Sequence, residues 1–194
     1  MKMFFYNKHK VEKEHSPFPH VVVKNFLFPK KAEAIAQALR KEVFTAKDSD
    51  LFKFRQTKEI ASSKNRVLQE FYHLLQSAEM LKYIEQLTTV KGLRSIDMSG
   101  FIYSDTDYLL CHDDRLEGRK VAYIYYLSED FSKQDGGALQ LFSSKNKHPS
   151  KIAKKILPTF NALMVFPVTP VSFHQVQEIM SKKERLTLAG WFHG

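Results

Sequence analysis

The sequence predicts a mainly β, α+β fold: a sandwich, barrel or jelly roll in the second half of the chain, with supporting helices before it. Three observations predict it. Helical periodicity is confined to the stretch between Lys30 and Val90, and about eight short apolar runs separated by turn signals follow Gly92. The third is that 43% apolar and 13% aromatic residues in a chain of 194 supply enough material for one substantial core. No internal repeat, low-complexity tract or linker divides it. The expected organisation is a single domain over 1–194, with a strand and supporting helices in 1–92 and the β core in 93–194.

Phe18, Val21, Val22, Val23, Phe26 and Leu27, bounded by Pro17 and Pro29, read as the first strand. From Lys30 the pattern becomes helical, with Ile35, Leu39 and Val43 on one stripe and Ala32, Ala34, Ala36 and Ala38 around it. A second helix carries Val67, Phe71, Leu74 and Leu75; a third, N-capped by Ser77, carries Leu81, Ile84 and Leu87. The β runs follow at 94–103, 107–112, 119–127, 138–142, 152–157, 161–168, 170–176 and 185–193. The helices are expected to cover one of the resulting sheets.

Thirty Lys and Arg against 21 Asp and Glu give a formal charge of +9, which favours polyanionic or acidic partners. Much of the excess is local: 143–177 contains no acidic residue but holds Lys145, Lys147, Lys151, Lys154 and Lys155. Cys111 has no second cysteine to pair with, which argues against a disulfide-stapled secreted domain and for a reducing compartment, cytoplasmic or nuclear. The apolar run Met1, Met3, Phe4, Phe5 and Tyr6 is too short for a signal-peptide core or a membrane span. With no zinc-finger spacing, no GxxxxGK[ST] and no GxGxxG, zinc modules, P-loop enzymes and dinucleotide-binding enzymes lose their usual signatures.

The chemistry centres on Tyr108-Leu109-Leu110-Cys111-His112-Asp113-Asp114. In an extended chain His112 and Asp114 share a face and can reach one metal ion, with Asp113 directed away and Cys111 directed into the core. A His-x-Asp pair alone is not diagnostic, since roughly 0.4 are expected by chance in this composition. His174, in Pro170-Val171-Ser172-Phe173-His174-Gln175-Val176, adds a second imidazole from another strand. Two histidines and one carboxylate can form the facial triad of non-haem Fe(II) oxygenases. Arg185 and Thr187 share one face of the last strand, where a guanidinium beside a hydroxyl would grip a carboxylate. Tyr126, in register with Ala122 and Ile124, and Tyr103 offer phenols to the same ligand. Gly136-Gly137 suits a tight turn, and Ile124, Leu139 and Val171 are candidates for a dry wall. His9, His15, His20, His73 and His148 lack partners at ligand spacing, His193 is near the terminus, and all six read as surface or structural.

These motifs, together with Leu116-Glu117-Gly118-Arg119 and the ending Arg185-Leu186-Thr187-x-x-Gly190-Trp191-Phe192-His193-Gly194, resemble the 2-oxoglutarate- and Fe(II)-dependent prolyl hydroxylases. More narrowly, they resemble the eukaryotic ribosomal prolyl 3-hydroxylases, which modify a proline in the decoding-centre protein of the small ribosomal subunit. The likeness runs from about residue 95 to 194 and extends to Phe18–Leu27 and the helix after it, while 45–90 is less diagnostic. It implies a double-stranded β-helix with His112, Asp114 and His174 as iron ligands and Arg185 holding the distal carboxylate of 2-oxoglutarate. Tyr126, Tyr103 and Thr187 are implied as further cosubstrate contacts. O2 as cosubstrate, ascorbate as activity support, a ribosomal protein substrate and contact of 143–177 with ribosomal RNA belong to the same expectation. Family members generally carry a second, non-catalytic β-helix domain; a chain that stops at Gly194 reads as a single-domain relative or as the catalytic half of a longer protein. Two alternatives stand beside it: an oxygenase of the same type acting on another protein or on nucleic acid, and a non-catalytic basic β-domain that binds RNA or the ribosome.

Overall fold

In the computed structural model, which describes residues 9–194, the three helices form where the apolar period calls for them. These are α1 (Pro29–Leu39), α2 (Arg66–Gln76) and α3 (Ala78–Thr88). Pro29 occupies the first turn of α1, where its missing N–H costs nothing. The Asn65 and Ser77 side chains accept the backbone N–H groups of Val67 and Met80 at 3.0 and 3.2 Å and so cap α2 and α3. Val43, expected on the α1 stripe, lies beyond the helix end and is 81% exposed, because the chain turns at Arg40–Lys41 to enter a strand. The run Met1–Tyr6 lies outside the described residues.

Among the described residues, thirteen strands make one curled antiparallel sheet. The first half of the chain supplies β1 (Lys10–Glu14), β2 (His20–Lys24), β3 (Phe44–Ser49) and β4 (Phe52–Thr57). Then come β5 (Ser95–Ile96), β6 (Ser99–Tyr103), β7 (Tyr108–His112), β8 (Arg119–Tyr126) and β9 (Leu139–Lys145). The last are β10 (His148–Ile156), β11 (Ala162–Pro167), β12 (His174–Val176) and β13 (Arg185–His193). The order is β1-β2-β11-β8-β13-β6-β4-β7-β12-β9-β10, with β3 on β4 and β5 on β13.

Three of the four early strands have no counterpart among the strands expected from the sequence. β1 and β3 are almost wholly exposed and carry Lys10, Glu12, Lys13, Glu14, Lys47 and Asp48, so they lack apolar alternation. β4 turns the corner of the roll: its start pairs with β7 (Phe52 with Leu109) and its end with β6 (Arg55 with Ile102). The run expected as a strand over 170–176 begins as a turn at Pro170–Val171, and only His174–Val176 is extended.

Period-two alternation divides the interior into two cores. From β8, Val121, Tyr123 and Tyr125 pack under the helices, and from β13, Leu186, Leu188 and Phe192 join them. The opposite faces send Ala122 and Tyr126, with Leu139, Leu141, Met164 and Phe166, into the roll itself. Asn161 joins the helical layer to the sheet. Its amide donates to the Leu27 carbonyl at 2.7 Å while its oxygen accepts from Leu27 N at 2.9 Å and from the Tyr125 hydroxyl at 2.8 Å. All three partners are buried. Asn161→Ala strands them without replacements and is expected to lower the unfolding free energy by about 3 kcal/mol, read from the urea midpoint at unchanged m-value.

Candidate active site

The roll encloses a cavity of about 530 Å³ lined by residues of β4, β6, β7, β8, β9, β11, β12 and β13. One wall carries His112, Asp114 and His174, whose ligand atoms all lie within 4.8 Å of one another. His112 and His174 face each other across the β7–β12 pair. Opposite Val176 stands Leu109, so two residues of β7, Leu110 and Cys111, oppose the single Gln175 of β12, and this bulge lets Leu109 and His112 both line the cavity. The same bulge leaves Cys111 half-buried rather than in the core. Asp114 does not reach the site by strand alternation. β7 ends at His112, and Asp114 adopts φ +60°, a left-handed backbone that costs a non-glycine residue of order 1 kcal/mol and swings its carboxylate back between the imidazoles. Asp113 is directed away to Arg115 at 2.7 Å, as expected.

Each histidine is oriented by its own chain. Nδ1 of His112 donates to the Leu110 carbonyl at 2.8 Å, and Nδ1 of His174 to the Ser172 carbonyl at 2.9 Å. Both Nε2 atoms are therefore presented to the space beside Asp114, whose two oxygens lie 3.3 Å from His112 Nε2 and 3.4 Å from His174 Nε2. Burial, with the charge of His112, pushes the His174 imidazole down to about 4. Burial acts the same way on His112, but the Asp114 carboxylate more than offsets it and holds His112 above its ordinary value. Against its own burial, the hydrogen bond from His112 and the charges of both imidazoles hold the Asp114 carboxyl down near 2. Two imidazoles, able to ligate once Nε2 is deprotonated, and a carboxylate converging on one point fit a divalent transition metal.

The other end of the cavity is cationic. Arg185, only 1% exposed, opens β13 with its guanidinium 5.2 Å from the ring centroids of both Tyr103 and Tyr126. Nε donates to the Gly137 carbonyl at 3.0 Å, but Nη2 and the Tyr126 hydroxyl are buried without a partner. Burial raises both tyrosine hydroxyls, and the Arg185 charge opposes it. Thr187, 1% exposed, follows Arg185 on the same face. A buried guanidinium with an orphaned N–H and a phenol beside it is complementary to a carboxylate brought in by a ligand. Ile124 and Leu139 line the cavity as expected; Val171, in its turn, does not.

Several further residues shape the site beyond those expected there from the sequence. Gly136 and Gly137, which read only as a turn, have φ +72° and +67°, and Gly137 presents the carbonyl that holds Arg185. The guanidinium of Arg119 stacks 3.3 Å over the Trp191 ring at the cavity wall. Phe52, Phe54 and Phe101 form an aromatic flank, with centroids 5.0 and 5.5 Å apart along the series. For the first two of these, the β-strand periodicity of FKFRQT is the one available signal.

Residues 98–193 match the model of the 2OG-Fe(II) oxygenase superfamily, a span that contains every residue of the metal-ready triad and Arg185. The chain belongs to the 2OG-Fe(II) oxygenase superfamily. This oxygenase is 39% identical over 181 residues to prolyl 3-hydroxylase OGFOD1 of Xenopus laevis, covering 92% of this chain and 35% of that protein. It is 32% identical over 166 residues to prolyl 3,4-dihydroxylase OGFOD1 of Ostreococcus tauri, covering 76% of this chain and 32% of that one. The chain thus spans about a third of the length of these curated relatives. Among solved structures, a Pseudomonas putida prolyl-4-hydroxylase superposes with a TM-score of 0.72 at 21% identity, covering 96% of this chain and 93% of that one. The oxygenase shares its jelly-roll fold, and the family implies Fe(II) and 2-oxoglutarate.

Two measurements probe the site directly. A metal ion needs both imidazoles deprotonated, and His112, held above its ordinary value, takes up a proton first as the pH falls. Mn(II) affinity by calorimetry is therefore expected to weaken by about tenfold per unit as the pH drops from about 7 to 5, one proton being displaced; an affinity flat over that range would contradict histidine ligation. Gly137→Ala places a methyl 2.7 Å from Ile179 Cδ1 and 3.4 Å from Arg185 Cδ at a positive φ. It is expected to raise the KM for 2-oxoglutarate about tenfold with a smaller change in kcat, since it disturbs the arginine and not the triad.

Proposed function

We propose that this oxygenase hydroxylates a prolyl residue of a protein, with His112, Asp114 and His174 holding Fe(II) and Arg185 holding 2-oxoglutarate. The observation that carries the reading is the pairing, in one cavity, of a metal-ready triad with a buried guanidinium that has no ion-pair partner and one orphaned nitrogen. Relatives that bear prolyl hydroxylation in their names support that part of the reading. Fe(II) with 2-oxoglutarate supplies the oxidising chemistry: one oxygen atom of O2 enters a C–H bond of the substrate, the other enters succinate, and CO2 is released.

The chain's own residues bind, orient and exclude. Three protein ligands leave coordination positions for the cosubstrates, and the Nδ1 hydrogen bonds keep both imidazoles in the ligating tautomer. Arg185 Nη2 and the Tyr126 hydroxyl receive the distal carboxylate of 2-oxoglutarate, with Thr187 and Tyr103 beside it. Gly137 fixes the guanidinium before the ligand arrives, so less ordering remains to be done on binding. Ile124, Leu139, Phe166 and Val176 keep the cavity dry. On the substrate side, the planar Arg119–Trp191 stack and the Phe52–Phe54–Phe101 flank offer flat surfaces for a pyrrolidine ring and its backbone.

The substrate in this proposal is the decoding-centre protein of the small ribosomal subunit, which places the enzyme in the cytoplasm or nucleus and makes the acid-free stretch 143–177 a contact for ribosomal RNA. Ascorbate serves to maintain the iron as Fe(II). Incubation with Fe(II), 2-oxoglutarate and ascorbate is expected to add one oxygen atom to a proline of a decoding-centre loop peptide, read by tandem mass spectrometry, with stoichiometric succinate. Asp114→Ala should abolish both products. Succinate output that persists in that variant would remove the metal assignment, and turnover on a methylated oligonucleotide instead of the peptide would replace the substrate class.

A further inference from the structure

The β9–β10 hairpin outruns the sheet that carries it. β12 pairs with β9 only over Leu139–Leu141, and one further bond joins Phe142 N to the Phe173 carbonyl at 3.0 Å. Beyond that point, among the described residues, β9 has β10 as its only strand neighbour, and every residue of 144–153 is exposed. The result is a two-stranded ribbon projecting from the edge of the roll.

Its charge is one-sided. Of the five lysines in 143–177, only Lys154 has a carboxylate partner, Glu14 on β1. Among the described residues Lys145, Lys147, Lys151 and Lys155 form no ion pair, and 143–177 has no acidic residue to supply one.

The turn adds an independent observation. Lys145 pairs with His148, which leaves Asn146-Lys147 as a two-residue loop with φ of +52° and +62°. Such a loop favours glycine at its second position, because a side chain there crowds its own backbone. Here that position holds a lysine, so the tip keeps a cation where the fold would prefer none. An unfavourable backbone retained at an exposed tip is the pattern expected of a functional contact.

We infer that the 143–151 ribbon is an RNA-docking arm whose lysines engage the phosphate backbone and bring the oxygenase to an RNA-bearing particle. The inference rests on the reading that the substrate is a ribosomal protein, which selects RNA among polyanions. The arm lies apart from the catalytic cavity, none of whose lining residues it contains. It therefore acts on encounter and residence and leaves the chemical step alone.

The test compares the intact protein with Lys145→Glu/Lys147→Glu/Lys151→Glu and with Lys147→Gly. Binding of a fluorescent mixed-sequence RNA is measured by anisotropy across a salt series, with phosphatidylserine vesicles as a second polyanion. Three lost phosphate contacts should lower the slope of log K against log salt by about 2 and weaken low-salt binding about tenfold or more. Hydroxylation of the free peptide should be unchanged in the triple variant, while kcat/KM on intact small subunits falls about tenfold. Lys147→Gly should melt no lower than the parent yet bind RNA more weakly, which separates a docking role from a folding role. RNA affinity and salt slope unchanged in the triple variant would overturn the inference, as would loss of vesicle binding with RNA binding intact. Peptide turnover absent from the parent protein, with lysine-dependent RNA binding present, would remove the hydroxylase reading and leave the arm standing.

Discussion

A buried guanidinium without a counter-charge is the constraint on which the rest of the site turns. Arg185 is almost fully removed from water, flanked by Tyr103 and Tyr126 and tied at Nε to one carbonyl, with Nη2 unsatisfied. Desolvating such a charge costs several kcal/mol, and the protein alone recovers only part of it. The arrangement persists because β13 is held from its other side, where Leu186, Leu188 and Phe192 are fully buried under the helices. The deficit at Arg185 is stored complementarity for an anionic ligand.

The metal wall shows the same trade between local comfort and site geometry. Asp114 sits in a left-handed conformation, and β7 carries a bulge immediately before His112. Both features cost stability where they stand, and both are needed to bring two imidazoles and a carboxylate to one point. The two cores divide the work accordingly. The helix-backed core carries the stability that tolerates an incompletely satisfied cavity, and the inner core keeps that cavity apolar between its cationic and metal-ready ends.

Elements with strong periodicity are legible in the residues themselves. α1, α2 and α3, the Ser77 cap and the alternation of β8 that sends Tyr126 inward all stand where the apolar pattern puts them. The departures have physical causes. β1 and β3 are exposed on nearly every residue, so solvent and not a core chose their side chains. Val43 continues a helical period past the point where the chain has already turned toward β3. Strict alternation misplaces Cys111 and Asp114, because a bulge and one positive φ interrupt it. Arg119 and Trp191, 72 positions apart in the chain, carry no joint signal because nothing local couples them.

By itself, the sequence determined the kind of chemistry: the residue types His112, Asp114, His174 and Arg185, their order along the chain, and the two-faced strands able to carry them. Side-chain identity and period are local properties, and they survive without a fold. Only the tertiary structure decided convergence: that β4 turns the corner between β6 and β7, that Gly137 reaches back to Arg185, that the guanidinium is left one partner short, and that the β9–β10 ribbon projects free of the sheet. Those facts depend on which distant segments share a cavity or an edge, and that is settled by long-range pairing and packing.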